Sequence, residues 1–160
     1  HPKEGQGILH ATTNLFIFKN KTLREVLLSQ RAFKIGAGGQ FDTSAGGHLD
    51  WIIEQNRAQT PLECVTTETL EELFYRQLLP EDLNFIYAGR FTRTTPTNPE
   101  INNLYSTVYQ GPFFPNPDEV AQVRFIDIGT LQKEIKENPH QFTRNLDYCL
   151  RFLLHGEDRF

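Results

Sequence analysis

Apolar residues recur along this chain mostly with the short period of β-strands, and the first such stretch comes early. His10–Lys19 (H-A-T-T-N-L-F-I-F-K) is β-branched and aromatic and stops at the turn-prone Asn20-Lys21. Glu25–Gln30 (E-V-L-L-S-Q) follows closely, so the two are expected to pair as a hairpin. Asn84–Thr92 and Gln122–Ile126 read as further strands, and Leu104–Tyr109 alternates between two faces. Between them lie a turn-rich loop at Thr94–Asn98 and a proline-rich segment at Gly111–Pro117. Near the end, Gly129–Glu137 suits a short amphipathic helix and Asn138–Leu154 a longer one. The longer one lines up Phe142, Leu146, Cys149, Leu150 and Leu153 in a stripe expected to be core. His1–Gly7 is polar and expected to form a short arm, and no internal repeat is visible.

One helix has an unusually clear start. Thr60 is a good N-cap, Pro61 suits the first helical position, and Glu63 completes a T-x-x-E capping box. From there no glycine or proline interrupts before Pro80. At helical spacing Glu68, Glu71 and Glu72 fall within about 100° of one another, while Glu63 lies apart and serves the cap. Strands interleaved with two or three helices predict an α/β sandwich.

Composition changes the picture mainly by exclusion. A chain of 160 residues is expected to form one domain with its own core. Net charge −4 and a pI near 5.7 provide no polycationic surface for nucleic acid. Cys64 and Cys149 are far apart and without a C-x-x-C, which fits a reducing, cytoplasmic setting rather than a disulfide or zinc scaffold. No apolar run approaches the roughly 20 residues of a membrane span. The chain opens at His1 without a methionine, which suggests a trimmed leading segment.

Candidate chemistry gathers around the acidic helix. Three carboxylates at i, i+3 and i+4 repel by a few tenths of a kcal/mol per pair when exposed. They form either a solvated acidic face or a site for a hard cation such as Mg²⁺ or Mn²⁺. The glycine turn in Ser44-Ala45-Gly46-Gly47-His48 favours the second, because it lets backbone carbonyls approach the same ion. Arg31 and Lys34 leave a strand end beside the glycine-rich Gly36–Gly39. They are either solvated loop charges or a clamp for phosphate oxygens.

Two sets of residues carry a family resemblance. Thr67-Glu68-Thr69-Leu70-Glu71-Glu72 resembles the R-E-U-x-E-E core of the Nudix hydrolase signature, G-x(5)-E-x(7)-R-E-U-x-E-E-x-G-U, with Gly47 as its opening glycine. Gln30-Arg31-Ala32-Phe33-Lys34 and the Gln40–His48 stretch resemble the Q-R-S-x-x-K and W-D-x-S-x-G-G-H of the branch that holds isopentenyl-diphosphate isomerase and related hydrolases. The resemblance implies a Nudix-type α/β/α sandwich with a mixed β-sheet over residues 1–160. It implies Mg²⁺ (or Mn²⁺) held by Gly47, Glu68, Glu71 and Glu72, and catalysis by these glutamates with Glu119, whose loop often carries a general base. Glu119 could equally be a turn acid before its strand. It implies further a small-molecule diphosphate substrate contacted by Arg31 and Lys34, and leaves a homodimer open.

The departures from the pattern are specific. Thr67 replaces the arginine, Thr69 the aliphatic residue and Phe74 the glycine. Gly47 lies six positions too far from Glu68, so Trp51–Gln59 is expected to carry an insertion. The signature's first glutamate falls on Gln59, with Glu54 able to substitute only through the longer loop. The isomerase of this branch needs a reactive cysteine in its T-C-C-S-H-P or C-G-H-P strand, and Thr43–His48 has no thiol. His10 and His48 match two of its metal-binding histidines, but Ile101–Asn103 replaces its acidic pair. Isomerase activity is therefore not expected. Two expectations remain: a divalent-metal-dependent hydrolase of a nucleoside diphosphate-type or other organic diphosphate, or a Nudix domain that binds a nucleotide or protein without turnover.

Overall fold

Strand β1 (His10–Phe18) is buried along Thr12–Phe18, and the main sheet is assembled around it. The computed structural model describes residues 10–93 and 99–156; the arm expected at His1–Gly7 and the loop expected at Thr94–Asn98 lie outside the described residues. On one side β1 pairs in parallel with β8 (Glu100–Val108), in register from His10↔Glu100 to Phe18↔Val108. Its other side is shared. β2 (Glu25–Arg31) joins antiparallel at Phe18↔Val26, and β4 (Ala45–His48) takes over from Leu15↔Ala45 to Thr12↔His48. The expected hairpin thus forms at its closed end and then splays. Ser44 fills the split: Ile17 N donates to its hydroxyl at 2.8 Å, and that hydroxyl donates to Leu27 O at 2.6 Å.

Outward from β2 lie β3 (Phe41–Asp42) and β9 (Val120–Asp127), and outward from β8 lies antiparallel β7 (Ile86–Arg93). The result is a mixed seven-stranded sheet with helices on both faces. Alternation along β1 sends Leu15 and Ile17 to one face and Phe16 and Phe18 to the other. Leu15 and Ile17 pack with Val65, Leu73 and Phe74 of α1 (Pro61–Leu73) and its C-cap. Phe16 and Phe18 pack with Leu131 of α2 (Ile128–Glu137) and with Leu146, Cys149, Leu150 and Phe152 of α3 (Arg144–His155).

Three boundaries differ from the sequence reading, each for a local reason. Helix α1 ends at Leu73 although no glycine or proline stops it. Its last carbonyls turn to the proline-rich loop instead: Asn116 N donates to Glu72 O at 2.9 Å and Phe114 N to Leu73 O at 2.7 Å. Phe74 then packs against Tyr109 and Phe113. The long final helix is two pieces, because Phe142 turns extended and bridges to Phe41 of β3, with Thr143 N donating to Phe41 O at 2.9 Å. A 3₁₀ turn at Pro139–Gln141 precedes an extended Phe142, and Thr143 caps α3 by accepting from Leu146 N at 3.1 Å. The insertion at Trp51–Gln59 forms its own small hairpin of β5 (Trp51–Ile52) and β6 (Arg57–Ala58), turned by a 3₁₀ segment at Ile53–Gln55.

The capping box forms as expected, with Glu63 N donating to Thr60 Oγ1 and Thr60 N to Glu63 Oε1. Arg57 adds a fork on the same carboxylate at 2.6 and 3.0 Å, and this bond holds Glu63 at a pKa of about 2. No helix among the described residues is long and apolar enough to cross a membrane. Phe16 is fully buried between β1 and the α2/α3 layer, so Phe16→Ala should cost about 3–5 kcal/mol in urea unfolding. Thr60→Ala, which removes only the cap, should cost about 1 kcal/mol.

Candidate active site

The N-terminal half of β1 buries polar residues, Thr12, Thr13 and Asn14, where its C-terminal half buries hydrocarbon. That polar half borders a cleft of about 390 Å³ that reaches from the Gly46-Gly47 backbone and α1 across to β7 and the start of α3. The structure brings Gly47, Glu68, Glu72, Glu119 and Arg31 to its lining. Glu71 is exposed and lies outside that lining, as does Lys34.

Gly47 has to be glycine for a reason that concerns the site. A Cβ built there would lie 2.5 Å from the Glu68 carboxyl carbon, so the absence of a side chain is what lets Glu68 lie on the β4 backbone. Glu72 reaches the neighbouring turn, its Oε1 accepting from Gly46 N at 3.3 Å. The inserted hairpin explains how Gly47 meets Glu68 despite the extra residues. Asp50 and Gln59 clamp its base, with Gln59 N donating to Asp50 O at 2.7 Å and Asp50 N to Gln59 Oε1 at 2.9 Å. The six additional positions are looped out, and the helix starts beside the strand. Gln59, at the place of the signature's first glutamate, serves as this clamp, and Glu54 sits exposed in the 3₁₀ turn.

Glu119 arrives by a different route. The loop stitched to the end of α1 turns at Asn116, whose carbonyl accepts from Glu119 N at 3.0 Å and Val120 N at 2.8 Å. Ala32 N donates to Glu119 O at 3.0 Å, and Lys34 pairs with Asp118 at 2.8 Å, so the loop after β2 is latched to the Glu119 loop. Lys34 therefore has a surface partner, in a pair worth about 0–1 kcal/mol at such exposure. Arg31 is held by its Nε, which donates to Gly36 O at 2.7 Å. One terminal nitrogen lies 3.8 Å from Asp42, and the side chain remains 36% exposed beside the cleft.

The carboxylates are crowded and short of cations. Burial, then the charges of Glu71, Glu119 and Asp50, push Glu68 up to about 7, while its hydrogen bond with Glu72 pulls the other way. Burial and the Glu68 charge raise Glu72 well above the ordinary carboxylate range. Burial, then Glu71 and Asp118, raise Glu119, whose Oε2 is buried without a hydrogen-bond partner. Hard oxygen donors, mutual repulsion and an orphaned carboxylate oxygen on one cleft lining are what a divalent cation would relieve. Among the described residues no three His, Cys, Asp or Glu side chains are already gathered around one point. The donor set is right in kind and not preassembled.

Sequence reasoning missed much of the lining: Thr12, Asn14, Asp42, Thr43, Arg93 and Asn145. The run Thr12-Thr13-Asn14 inside an otherwise apolar strand was the available signal. Arg93 and Asn145 carried none, because their place depends on β7 and α3 docking onto β1 and β8.

Two measurements test this geometry. Gly46→Ala drives its Cβ to 2.7 Å from Thr13 O, a backbone atom, and should cost roughly 1–3 kcal/mol. Gly47→Ala meets only the far end of Glu68 and should stay within about 0.5 kcal/mol. The second concerns pH. A carboxyl with a raised pKa keeps in the fold a proton that the unfolded chain has already released. Its stabilisation is present at low pH and lost as pH rises from 4.5 to about 7. In chelator-containing buffer the melting temperature should fall across that window, and Glu68→Gln should flatten the fall; an unchanged slope in the variant would remove Glu68 as its source.

Comparison with known proteins gives a consistent picture. A family model described as the NUDIX domain matches residues 8–146. A curated relative from Serratia proteamaculans, named isopentenyl-diphosphate Delta-isomerase, is 27% identical over 139 residues, covering 86% of this chain and 73% of the relative. A solved structure from Deinococcus radiodurans superposes with a TM-score of 0.73 at 17% identity, over 89% of this chain and 81% of that one. The bifunctional NMN adenylyltransferase/ADP ribose pyrophosphatase of Francisella tularensis, solved with AMP and a manganese ion, superposes with a TM-score of 0.62 at 14% identity, over 94% of this chain and 42% of that one. With its mixed sheet between helical layers and a family match over most of its length, the chain belongs to the Nudix family.

Proposed function

We propose that this protein is a divalent-metal-dependent hydrolase that cleaves the diphosphate linkage of a nucleoside diphosphate-type or other organic diphosphate. The observation that carries this reading is the set of under-neutralised carboxylates in one cleft, Glu68 against the Gly47 backbone, Glu72 on Gly46 N and Glu119 on the lining, with Arg31 beside them. Glu68 and Glu72, with the Gly47 carbonyl and with Glu71 from the same helix face, would hold the ion. When bound, Mg²⁺ or Mn²⁺ supplies charge neutralisation for the diphosphate and Lewis acidity toward the attacking water. The manganese in the Francisella structure supports that choice of cofactor. Glu119 is the general base of this scheme: its partnerless oxygen accepts a proton from water, and its raised pKa makes it a stronger base than an exposed glutamate. Arg31, oriented through Nε, contacts the substrate's phosphate oxygens with its terminal nitrogens. Lys34 acts with it when the Asp118 pair opens.

The curated relatives' name points to isomerisation, which in this branch needs a reactive cysteine. The Gly46–His48 strand has none; Cys64 is fully buried beneath it, donating toward His48 O at 3.4 Å, with its thiol pushed up to about 11 by burial. Hydrolysis fits the available groups better. Cys64 and Cys149 are both free and buried, consistent with a cytoplasmic, reducing setting. A second reading, a domain that binds its diphosphate without turnover, is favoured by Thr67 in the arginine position and by Glu71 lying outside the cleft lining.

The two readings separate in one experiment. Mg²⁺ or Mn²⁺ at a hundredfold excess over its dissociation constant should stabilise the fold by about 2.7 kcal/mol, with Glu72→Gln removing the shift. Nucleoside triphosphates, dinucleoside polyphosphates, nucleotide sugars, dinucleotide cofactors and prenyl diphosphates are then assayed for cleavage. The hydrolase reading expects turnover of at least one, lost in Glu72→Gln and Glu119→Gln. Stabilisation by a panel member without cleavage favours the binding domain.

A further inference from the structure

At the opposite end of β1 from the cleft lies a second depression, which the hydrolysis does not use. It encloses about 320 Å³ and shares no lining residue with the cleft. Phe18 at the end of β1, Val108 at the end of β8, Ile86 at the start of β7, Ile128 at the start of α2 and Leu154 on the last turn of α3 line it, with Leu23 at its rim. No charged side chain is among the described residues of that lining. β7, β8 and β1 are neighbours in the sheet, so the groove crosses two strand spacings, about 10 Å, before it meets the turn that carries Leu23. β1 spans about 20 Å between Thr12 and Phe18, so an occupant of this groove leaves the cleft open.

The rim combines a strained leucine with free cations. Leu23 closes the turn after β1, its N donating to Asn20 O at 3.2 Å, with φ at 56°, a conformation that favours glycine. Among the described residues it is the only large apolar side chain held at such an angle, and it is half exposed. Most charged side chains within two positions of the lining are already committed. Lys19 pairs with Glu25 at 3.7 Å and Arg151 with Asp147 at 3.0 Å, and Asp127 caps α2 by accepting from Thr130 N at 3.0 Å. Lys21 and Arg24, which flank Leu23, are exposed, and their side chains have no ion-pair partner among the described residues.

We infer that this groove docks an acidic amphipathic segment of a partner protein, whose apolar side chains fill it and whose carboxylates meet Lys21 and Arg24. Apolar residues at i, i+3, i+4 and i+7 of a helix extend over about 10 Å, which matches the groove's length. A second copy of this chain fits less well, because a two-fold contact through this face sets its basic rim against itself. An anionic membrane also fits less well. The groove is concave, and each cation near such a surface strengthens attachment only about fivefold.

The test is fluorescence anisotropy of the intact chain with a labelled helical peptide that has leucine at i, i+3, i+4 and i+7 and glutamate elsewhere. Two control peptides replace the glutamates by lysine or the leucines by serine. The glutamate–leucine peptide is expected to bind saturably and at least tenfold tighter than either control. Lys21→Glu combined with Arg24→Glu should weaken it at least tenfold and turn the preference toward the lysine peptide. Leu154→Ser should weaken both leucine peptides, with melting curves confirming that the variants are folded. Absence of saturable binding, or binding that survives both sets of substitutions, overturns the inference. So does capture by phosphatidylserine vesicles that the peptide does not compete away, which assigns the face to a membrane. A concentration-dependent dimer abolished by Leu154→Ser assigns it to a second copy, and peptide binding that appears only in Phe160→Ala assigns it to the chain's own residues; either result overturns the inference as well.

Discussion

The arrangement depends on β1 being buried on both faces while changing character halfway along. Leu15–Phe18 can be apolar without interruption because α1 covers one face and α2 with α3 the other. Its partner β8 changes at the same level, from Asn102-Asn103 to Leu104-Tyr105. The pairing is parallel and in register, Thr12↔Asn102 through Leu15↔Tyr105, so Thr12–Asn14 and Asn102-Asn103 lie side by side at one level of the sheet and Leu15 and Phe16 beside Tyr105 and Ser106 at the next. An antiparallel pair would have set amides against leucines. The cleft lies at the end where the sheet stops burying hydrocarbon.

What stands over that end is held by backbone more than by side chains. The carbonyls of Glu72 and Leu73 accept from the loop that carries Glu119, so the second acidic element is tied to the end of the helix that carries the first. Ala32 N on Glu119 O does the same for the loop that follows Arg31. These bonds bring like charges together in a buried place, and burial first, then the neighbouring carboxylates, raise the pKa values of Glu68, Glu72 and Glu119. The packing of β1 against its three helices is what offsets the cost of that crowding, and the repulsion is the property that suits the cleft to a divalent cation and a diphosphate.

The sequence by itself determined the start of α1, because the Thr60–Glu63 capping box and Pro61 act within one turn. It also determined the core stripe of α3 from Leu146 to Leu150, which is local periodicity, and the co-facial glutamates, which follow from helical spacing. The Nudix family was legible for the same reason: the Thr67–Glu72 core of its motif is short and continuous. Tertiary structure alone decided the rest. The end of α1 depends on Phe114 and Asn116, some forty residues downstream. The split between β1 and β2 depends on the Ser44 hydroxyl, and the meeting of Gly47 with Glu68 on a hairpin that loops out the insertion. That Glu119 and Arg31 line the cleft while Glu71 and Lys34 do not, and that Arg93 and Asn145 close its far wall, follows from which strand edges and helices meet. Such meetings join residues distant in sequence, and a spacing read along one chain carries no record of them.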